Sequence, residues 1–139
     1  MSLPITNVKG ARAFAPRISM FTARFWDGLA EGQFLTTKCT HCEKLTFPPK
    51  PICPYCWSSK VEWQSLLGRG RLYSRTTIHA APKVFAAEAP YQVAIVDLEE
   101  NLRIATRISG NVALDASVAL TVLKYDDGCL FEARAFIND

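Results

Sequence analysis

The feature that most constrains this chain is a set of four cysteines arranged as two C-x2-C pairs with ten residues between them. Two such pairs describe a tetrahedral thiolate site, in which each pair places two sulfurs on one ion at roughly 2.3 Å. Structural zinc is the commonest occupant, and iron bound as in rubredoxin is the alternative that the spacing leaves open. The sequence therefore predicts a zinc ribbon with the metal ligands Cys39, Cys42, Cys53 and Cys56.

Two disulfides in a secreted domain would be the other explanation of these cysteines. The N-terminus shows no apolar core of a secretory signal, and Cys129 would remain without a partner. Thiolates that bind metal persist in reducing compartments, so we expect a metal site and a cytoplasmic location. No run approaches the roughly 20 apolar residues that span a bilayer, so no membrane partner is expected.

A short helix is predicted ahead of the first cysteine pair. Ser19 can cap its start and Gly32 can end it. Residues 1–18 have no clear periodicity and are interpreted as an arm that becomes ordered only against a partner. Large apolar residues recur every four positions through the helix, at Phe21, Phe25 and Leu29.

The C-terminal half reads as a small β-barrel. Apolar and polar residues alternate through five runs, and Glu99–Asn101 and Asp126–Gly128 are predicted hairpin turns. Five strands in so short a stretch, with no room for a long helix, indicate a Greek-key barrel of OB type. The predicted division is an arm and helix over 1–33, a zinc ribbon over 34–66 and an OB-fold over 67–139. The predicted strands are Arg71–His79, Tyr91–Leu98, Leu102–Ile108, Val118–Tyr125 and Leu130–Ile137.

Several short motifs carry a family likeness. The motifs, in order, are Phe25-Trp26-x-Gly28-Leu29-x-x-Gly32, Cys39-x-x-Cys42, Phe47-Pro48-Pro49, Cys53-Pro54-x-Cys56, Gly68-x-Gly70-x-x-Tyr73-Ser74 and Pro90-Tyr91-x-Val93-Ala94. This order resembles the zinc-ribbon/OB-fold proteins of domain-of-unknown-function family thirty-five. The resemblance implies a mainly β protein with an N-terminal helical arm, a rubredoxin-like zinc ribbon and a C-terminal OB barrel. Trp57, directly after the second knuckle, departs from the pattern, because a small residue is commoner there.

The resemblance also implies a role. Proteins of this family accompany thiolases, hydroxymethylglutaryl-CoA synthases or MaoC-like hydratases as accessory proteins, and acyl-CoA binding is their suspected activity. Neither the family nor the sequence supplies a catalytic constellation, so we expect a non-catalytic subunit. The helix stripe has two interpretations, core packing or docking of the partner enzyme. The candidate docking residues are Phe21, Phe25, Trp26 and Leu29.

An acyl-CoA site needs cations for the phosphates and an apolar slot beside them. Four arginines are expected on polar faces of barrel strands, and the loop 80–90, rich in Ala and Pro, is a candidate slot wall. A simple charged barrel surface is the alternative for each of these residues. The candidate acyl-CoA residues are Arg71, Tyr73, Arg75, Lys83, Tyr91, Arg103 and Arg107.

Two further functions compete with acyl-CoA binding. OB folds and zinc ribbons also bind single-stranded nucleic acid, through a basic groove with aromatic platforms. Residues 67–139 hold eight Lys and Arg against nine Asp and Glu, and four thiolates with one Zn²⁺ lower the net charge from +3 to about +1. Nucleic-acid binding is therefore ranked second, beside a pure scaffold that binds no ligand.

Overall fold

The structure is a computed structural model that describes residues 2–136. Strands dominate, as predicted, and they form two sheets: a three-stranded sheet in the ribbon and a six-stranded sheet in the barrel. The elements are β1 (Ile5–Asn7), α1 (Ala23–Ala30), β2 (Phe34–Cys39), β3 (Leu45–Thr46), β4 (Val61–Leu66), β5 (Arg69–Ile78), a 3-10 helix (Lys83–Glu88), β6 (Tyr91–Leu98), β7 (Leu102–Ile108), β8 (Ser117–Tyr125) and β9 (Gly128–Ala135).

Five strands close into the predicted barrel. Strands β8, β5, β6, β7 and β9 pair in that order, and β8 also pairs with β9, which completes the ring. The alternation that predicted β7 is confirmed, because its apolar positions are buried while Arg103 and Ala105 are exposed. The predicted last strand ends at Ala135, and Ile137 lies outside the described residues. The inward residues form one apolar core, which includes Leu72, Val96, Ile104, Val118, Leu120 and Ala133.

The N-terminal arm is ordered against its own chain, which corrects the expectation that it needs a partner. Strand β1 pairs in parallel with β8, with Ile5 opposite Val122. The carbonyl of Pro4 accepts a hydrogen bond from the Val122 amide at 2.9 Å, while the Gly68 carbonyl accepts one from Leu120 at 2.8 Å. Strands β1 and β5 therefore share one edge of β8, end to end, and β1 covers backbone groups that β5 leaves unpaired.

Helix α1 is shorter than predicted, because Ser19 and Thr22 form a capped turn before it. The Ser19 amide donates to Thr22 Oγ1 at 2.8 Å, and the Thr22 amide donates to Ser19 Oγ at 3.1 Å. Gly32 ends the helical segment with a left-handed φ of +82°, as expected of a C-terminal glycine.

Among the residues that the structure describes, no helix combines the length and the apolar composition of a membrane span.

Four phenylalanine rings join the helix, the ribbon and the barrel. The helix contributes Phe25, the ribbon Phe34 and Phe47, and barrel strand β9 contributes Phe131. Phe34 is fully buried, and its ring centroid lies 5.1 Å from those of both Phe47 and Phe131. Edge-on and stacked contacts of this kind add to the free energy of apolar burial. The three parts of the chain therefore share one apolar contact, here called the phenylalanine cluster.

A β-bulge in β5 changes which side chains face the barrel interior. The register with β6 shifts between Leu72 and Ser74, so that Tyr73 is the extra residue. Leu72 opposes buried Val96, and two residues after the bulge Arg75 opposes buried Ala94. Arg75 therefore lies on the inner side of the ladder, and the prediction that it projects from a polar outer face is wrong.

Candidate metal centre and ligand-binding face

The four predicted ligands come together at the tip of the ribbon. Their sulfur atoms all lie within 4.8 Å of one another, and none is in a disulfide. The Sγ atoms of Cys39 and Cys56 are 3.6 Å apart, as are those of Cys42 and Cys53. A tetrahedron with metal–sulfur distances of about 2.3 Å has edges of about 3.8 Å, so the sulfurs fit one Zn²⁺ or Fe ion.

The two knuckles have the same backbone geometry. The amides of His41 and Tyr55, each two residues after the first cysteine of its pair, donate to that cysteine's Sγ at 3.3 Å and 3.4 Å. Glu43 and Trp57, each four residues after that cysteine, adopt a left-handed φ of 64°. Their amides donate hydrogen bonds to the carbonyls of Cys39 and Cys53, both at 2.9 Å. Each C-x2-C pair thus forms one tight turn that aims two sulfurs at one point.

Backbone amides lower the pKa of the first cysteine of each pair, Cys39 and Cys53, and so favour their thiolate forms. The amide N–H of Cys42, followed by that of His41, lowers the pKa of Cys39 to about 6. Amide donors stabilise the charged form that a metal requires. His41 is exposed, and the four sulfurs already complete a tetrahedron, which leaves no position for substrate or water. The four cysteines therefore form a closed, four-sulfur metal site.

Two of the candidate acyl-CoA residues, Arg103 and Tyr73, lie together on the outer face of the barrel, near the start of β7; this is called the lower end of the face. The guanidinium of Arg103 stacks on the Tyr73 ring, 3.8 Å from its centroid. The same guanidinium binds Asp97 through two nitrogens, at 2.6 Å and 3.1 Å. This contact holds the pKa of the Asp97 carboxyl below its usual range. The Arg103 charge is thus already matched, which the sequence reasoning missed because Asp97 lies on the neighbouring strand.

Two further candidates, Arg107 and Tyr91, lie together on the same face near the end of β7, which is called the upper end. The guanidinium of Arg107 lies 3.9 Å from the Tyr91 ring centroid and 5.3 Å from that of Phe85. Its Nη1 also pairs with Glu88 Oε1 at 2.6 Å. Arg107 therefore fixes the 3-10 helix against the barrel. Beside it, this helix and the N-terminal arm enclose a cleft of about 390 Å³, here called the upper cleft; its lining includes Phe14, Phe85, Tyr91, Arg107, Tyr125 and Phe131.

The remaining acyl-CoA candidates are not gathered with these pairs. Arg71 is exposed and lies 3.7 Å from Asp115, in a weak surface ion pair. Lys83 is exposed at the start of the 3-10 helix. Arg75 has a buried Nη1 without a hydrogen-bond partner among the described atoms. The structure therefore divides the predicted set into two arginine–tyrosine pairs on one face and three separate cations.

The predicted docking stripe is split between core and surface. Phe25 and Leu29 are buried in the chain's own core, at 4% and 0% exposure, so the docking prediction is wrong for Leu29, whereas Phe25 still lines the apolar cleft beside Trp26. Phe21 packs on Trp63 of the ribbon, with ring centroids 5.2 Å apart. Trp26 is partly exposed and borders an apolar cleft of about 300 Å³, here called the helix cleft. The helix cleft is lined by Arg17, Thr22, Phe25, Trp26, Phe47, Pro48, Pro49 and Phe131.

A four-cysteine ribbon followed by a closed five-stranded barrel defines a two-part, ribbon and OB-barrel protein. Two family models identify the family to which the chain belongs. Residues 26–62 match the ChsH2 rubredoxin-like zinc ribbon domain, and residues 63–122 match the ChsH2 C-terminal OB-fold domain. The chain belongs to this family, also known as DUF35, and the predicted resemblance is confirmed.

Individual relatives add detail. A DUF35 domain-containing scaffold protein of Methanocaldococcus jannaschii is 39% identical over 88 residues, which span 61% of this chain and 62% of that protein. The benzoylsuccinyl-CoA thiolase subunit BbsA of Thauera aromatica is 33% identical over 113 residues, 77% of each chain. A solved structure, described as Ltp2-ChsH2(DUF35) aldolase, is similar with a TM-score of 0.76 and 29% identity, over 88% of this chain and 100% of that chain.

Proposed function

We propose that this protein is a non-catalytic accessory subunit that docks onto a thiolase-, hydroxymethylglutaryl-CoA-synthase- or hydratase-like enzyme and binds acyl-CoA. The observation that carries the proposal is the closed sulfur tetrahedron, which leaves the metal a structural role and leaves function to the surfaces. The similarity to a thiolase subunit supports a thiolase-like enzyme as the partner. Zinc is the proposed metal and the cytoplasm the proposed compartment, since metal-bound thiolates persist where disulfides do not form.

The helix cleft is the proposed docking surface. Its walls are aromatic and proline side chains, and Trp26 stands at its rim with an edge-on contact to Phe25 at 5.0 Å. Partly exposed tryptophan beside a preformed apolar cleft is the kind of anchor that dominates protein interfaces. Of the predicted docking residues, Phe21 and Trp26 remain in the proposal, because each keeps part of its surface accessible.

The upper cleft is the proposed site for the apolar part of acyl-CoA. Its lining holds the cation Arg107 and two carboxylates, Glu88 and Glu132, so it suits the uncharged acyl and pantetheine arm better than the phosphates. The phosphates would then need cations outside the cleft, and exposed Lys83 begins the same 3-10 helix that forms its wall. Arg103 and Tyr73 lie at the other end of the outer face and take no part in this site.

Co-purification tests the docking proposal. The full chain, tagged and expressed in its native cell, should recover a thiolase- or hydratase-like subunit identified by mass spectrometry. Trp26→Ala should weaken that complex at least tenfold. Leu114→Ala, which removes another exposed apolar side chain from the barrel, should leave it unchanged. Recovery of single-stranded nucleic acid in place of an enzyme would contradict the proposal.

Calorimetric titration tests ligand binding. Acyl-CoA should bind the purified complex, and free CoA should bind more weakly because it lacks the apolar chain. Tyr91→Ala should reduce the affinity for acyl-CoA several-fold, since its ring lines the upper cleft. Tyr73→Ala is the matched control, because it removes the other arginine-stacked tyrosine. Equal loss in both variants would contradict the upper cleft as the site, whereas no binding by the wild type would leave the pure scaffold function.

A further inference from the structure

A short stretch of the N-terminal arm, residues 13–18, borders both proposed sites and is here called the strap. Ala13 and Phe14 line the upper cleft, and Arg17 lines the helix cleft. Phe131 belongs to both linings. The two clefts are therefore neighbours, with Phe131 between them and the strap beside both.

Phe131 is a fixed partition between the clefts. Its ring meets that of Phe34 edge-on, with centroids 5.1 Å apart. The ring centroids of Phe25 and Phe47 each lie 6.3 Å from that of Phe131. Side chains packed this closely against a core do not move without disturbing their neighbours. Displacement of this ring is therefore a poor means of communication between the clefts.

The strap, by contrast, is fastened at its two ends. Before it, the Arg12 guanidinium donates hydrogen bonds to the carbonyls of Asp127 and Cys129. After it, Ser19 and Thr22 form the capped turn that precedes α1. These contacts place the strap beside the two clefts without holding its middle.

The middle of the strap has few contacts of its own. In the part of the chain that the structure describes, residues 13–18 make no hydrogen bond. All of them except Pro16 are exposed, and the side chains of Phe14 and Ile18 are 62% and 51% exposed. A segment of this kind has low local stability and opens more readily than the barrel beneath it.

We propose that the strap couples the two sites, so that acyl-CoA in the upper cleft and the enzyme in the helix cleft each raise the affinity for the other. This inference rests on the proposed function and adds its regulation. A ligand in the upper cleft contacts Phe14, and an enzyme side chain in the helix cleft contacts Arg17, so either occupant has to order the strap. The loss of strap entropy opposes the first binding event only, because the second occupant finds the strap already in place.

The coupling has a size and a symmetry. Docking of the enzyme should tighten acyl-CoA binding at least about fivefold, and saturating acyl-CoA should tighten enzyme binding by the same factor, since linkage is reciprocal. The subunit would thus hold acyl-CoA firmly while it is docked and release it more readily when it is free. Calorimetric titration of the isolated full chain and of the complex, with the enzyme subunit identified by co-purification, measures both factors.

Pro16→Gly distinguishes ordering of the strap from a merely structural role. Pro16 lies in the strap but lines neither cleft, and glycine there increases the entropy that binding must remove. The variant should weaken acyl-CoA binding to the isolated chain by about two- to fivefold. It should leave binding to the complex unchanged, because the docked enzyme already orders the strap. Pro51→Gly removes the same ring from an exposed site in the ribbon and should alter neither affinity.

Limited trypsin digestion gives a second readout that needs no enzyme. Saturating acyl-CoA should slow cleavage of the isolated chain after Arg17, although Arg17 lines the other cleft. Cleavage after Lys9, which precedes the Arg12 contact, should proceed at an unchanged rate.

The remaining outcomes separate the coupling from the proposed function. If acyl-CoA and the enzyme both bind but neither changes the affinity for the other, the inference is wrong and the proposed function stands. Competition between them, or equal weakening of the isolated chain and the complex by Pro16→Gly, also overturns the inference. If acyl-CoA binds the complex alone, the enzyme supplies the site and the strap plays no part. If the wild type fails to bind the enzyme, or acyl-CoA in any form, the proposed function fails and the inference falls with it.

Discussion

The guanidinium of Arg12 lies directly on the backbone of Gly128, with Nη2 only 2.5 Å from the position that a Cβ would occupy there. The same Nη2 donates to the Asp127 carbonyl at 2.7 Å, and Nη1 donates to the Cys129 carbonyl at 3.3 Å. Only 7% of the Arg12 side chain is exposed. The N-terminal arm is thus fastened to the turn between β8 and β9, and this contact depends on the missing side chain at Gly128.

Replacing Gly128 by alanine should release the arm. The new Cβ would collide with the Arg12 guanidinium, and φ at this position is +145°, which disfavours any side chain. We expect a loss of about 1–3 kcal/mol in the free energy of unfolding and faster proteolysis at Lys9 and Arg17. Denaturant unfolding and timed trypsin digestion measure the two effects.

Gly110→Ala is the matched control for Gly128→Ala. Gly110 also has a positive φ, +87°, but a Cβ there meets nothing within 4 Å. This variant should therefore be destabilised only by the side chain's strain at a positive φ, and its arm should stay protected from protease. Equal digestion rates in the two alanine variants would contradict the role of Arg12 as the fastening residue.

The same turn should make the arm sensitive to acid. The Arg12 amide, which donates to Asp127 Oδ1 at 2.9 Å, and the Arg12 charge hold the pKa of the Asp127 carboxyl below its ordinary 3.8. A carboxyl whose pKa is lowered by folding stabilises fully above the unfolded value, and this contribution is lost as the pH falls through the folded value. We expect protection of the arm to decrease below about pH 4.

Asp127→Asn separates this effect from general acid unfolding. The variant should be less stable than the wild type at neutral pH, and the difference should vanish in acid, since a protonated carboxyl and an amide carry no charge. Asp115→Asn removes an equivalent charge from a side chain that is 85% exposed, and it should not alter protection of the arm. A constant difference between Asp127→Asn and the wild type across the pH range would refute the assignment.

The parts of this fold that the sequence predicted are those set by local patterns. Cysteine spacing places the ligands because two residues between cysteines fix a tight turn. Strands Tyr91–Leu98 and Leu102–Ile108 begin and end as predicted, since period-two alternation and the turn at Asn101 are both local signals. The closed barrel followed from the number and length of such runs.

The parts that the sequence did not predict depend on distant residues. Strand β1 has three residues and no periodic signal, and it exists because an edge of β8, more than 100 residues later, is available for pairing. The bulge at Tyr73 has no glycine or proline to indicate it, yet it turns Arg75 inward. The ion pair Arg107–Glu88 likewise joins a barrel strand to the 3-10 helix. No spacing rule along the chain identifies such partners.

Metal content tests the ribbon directly. We expect one zinc ion per chain by elemental analysis, and Cys39→Ser should lose it and most of the ribbon's structure, because binding of order 10 kcal/mol supports such small domains. Cys129→Ala is the control, since this buried cysteine lies in the barrel core and should leave metal content unchanged. Stoichiometric iron would keep the site but correct the metal, and neither metal at stoichiometry would refute the site.

The phenylalanine cluster should hold the three parts of the chain together. Phe34 is fully buried, stacks on Phe47 at 28° between ring planes, and meets Phe25 at 5.8 Å. Phe34→Ala should therefore lower the free energy of unfolding by about 3–5 kcal/mol, through lost burial and the cavity left behind. Phe14→Ala removes the same ring from a position that is 62% exposed, and it should change stability by less than about 0.5 kcal/mol.

Two probes show whether Phe34 couples the ribbon to the barrel or stabilises only one of them. Denaturation is followed by tryptophan fluorescence, which reports the ribbon and helix through Trp63 and Trp26, and by far-ultraviolet circular dichroism, which is dominated by the barrel strands. The wild type should unfold in a single transition by both probes, because one core connects the parts. In Phe34→Ala the fluorescence transition should move to lower denaturant than the dichroism transition. Coincident transitions in the variant would show that the barrel and ribbon stay coupled without this ring.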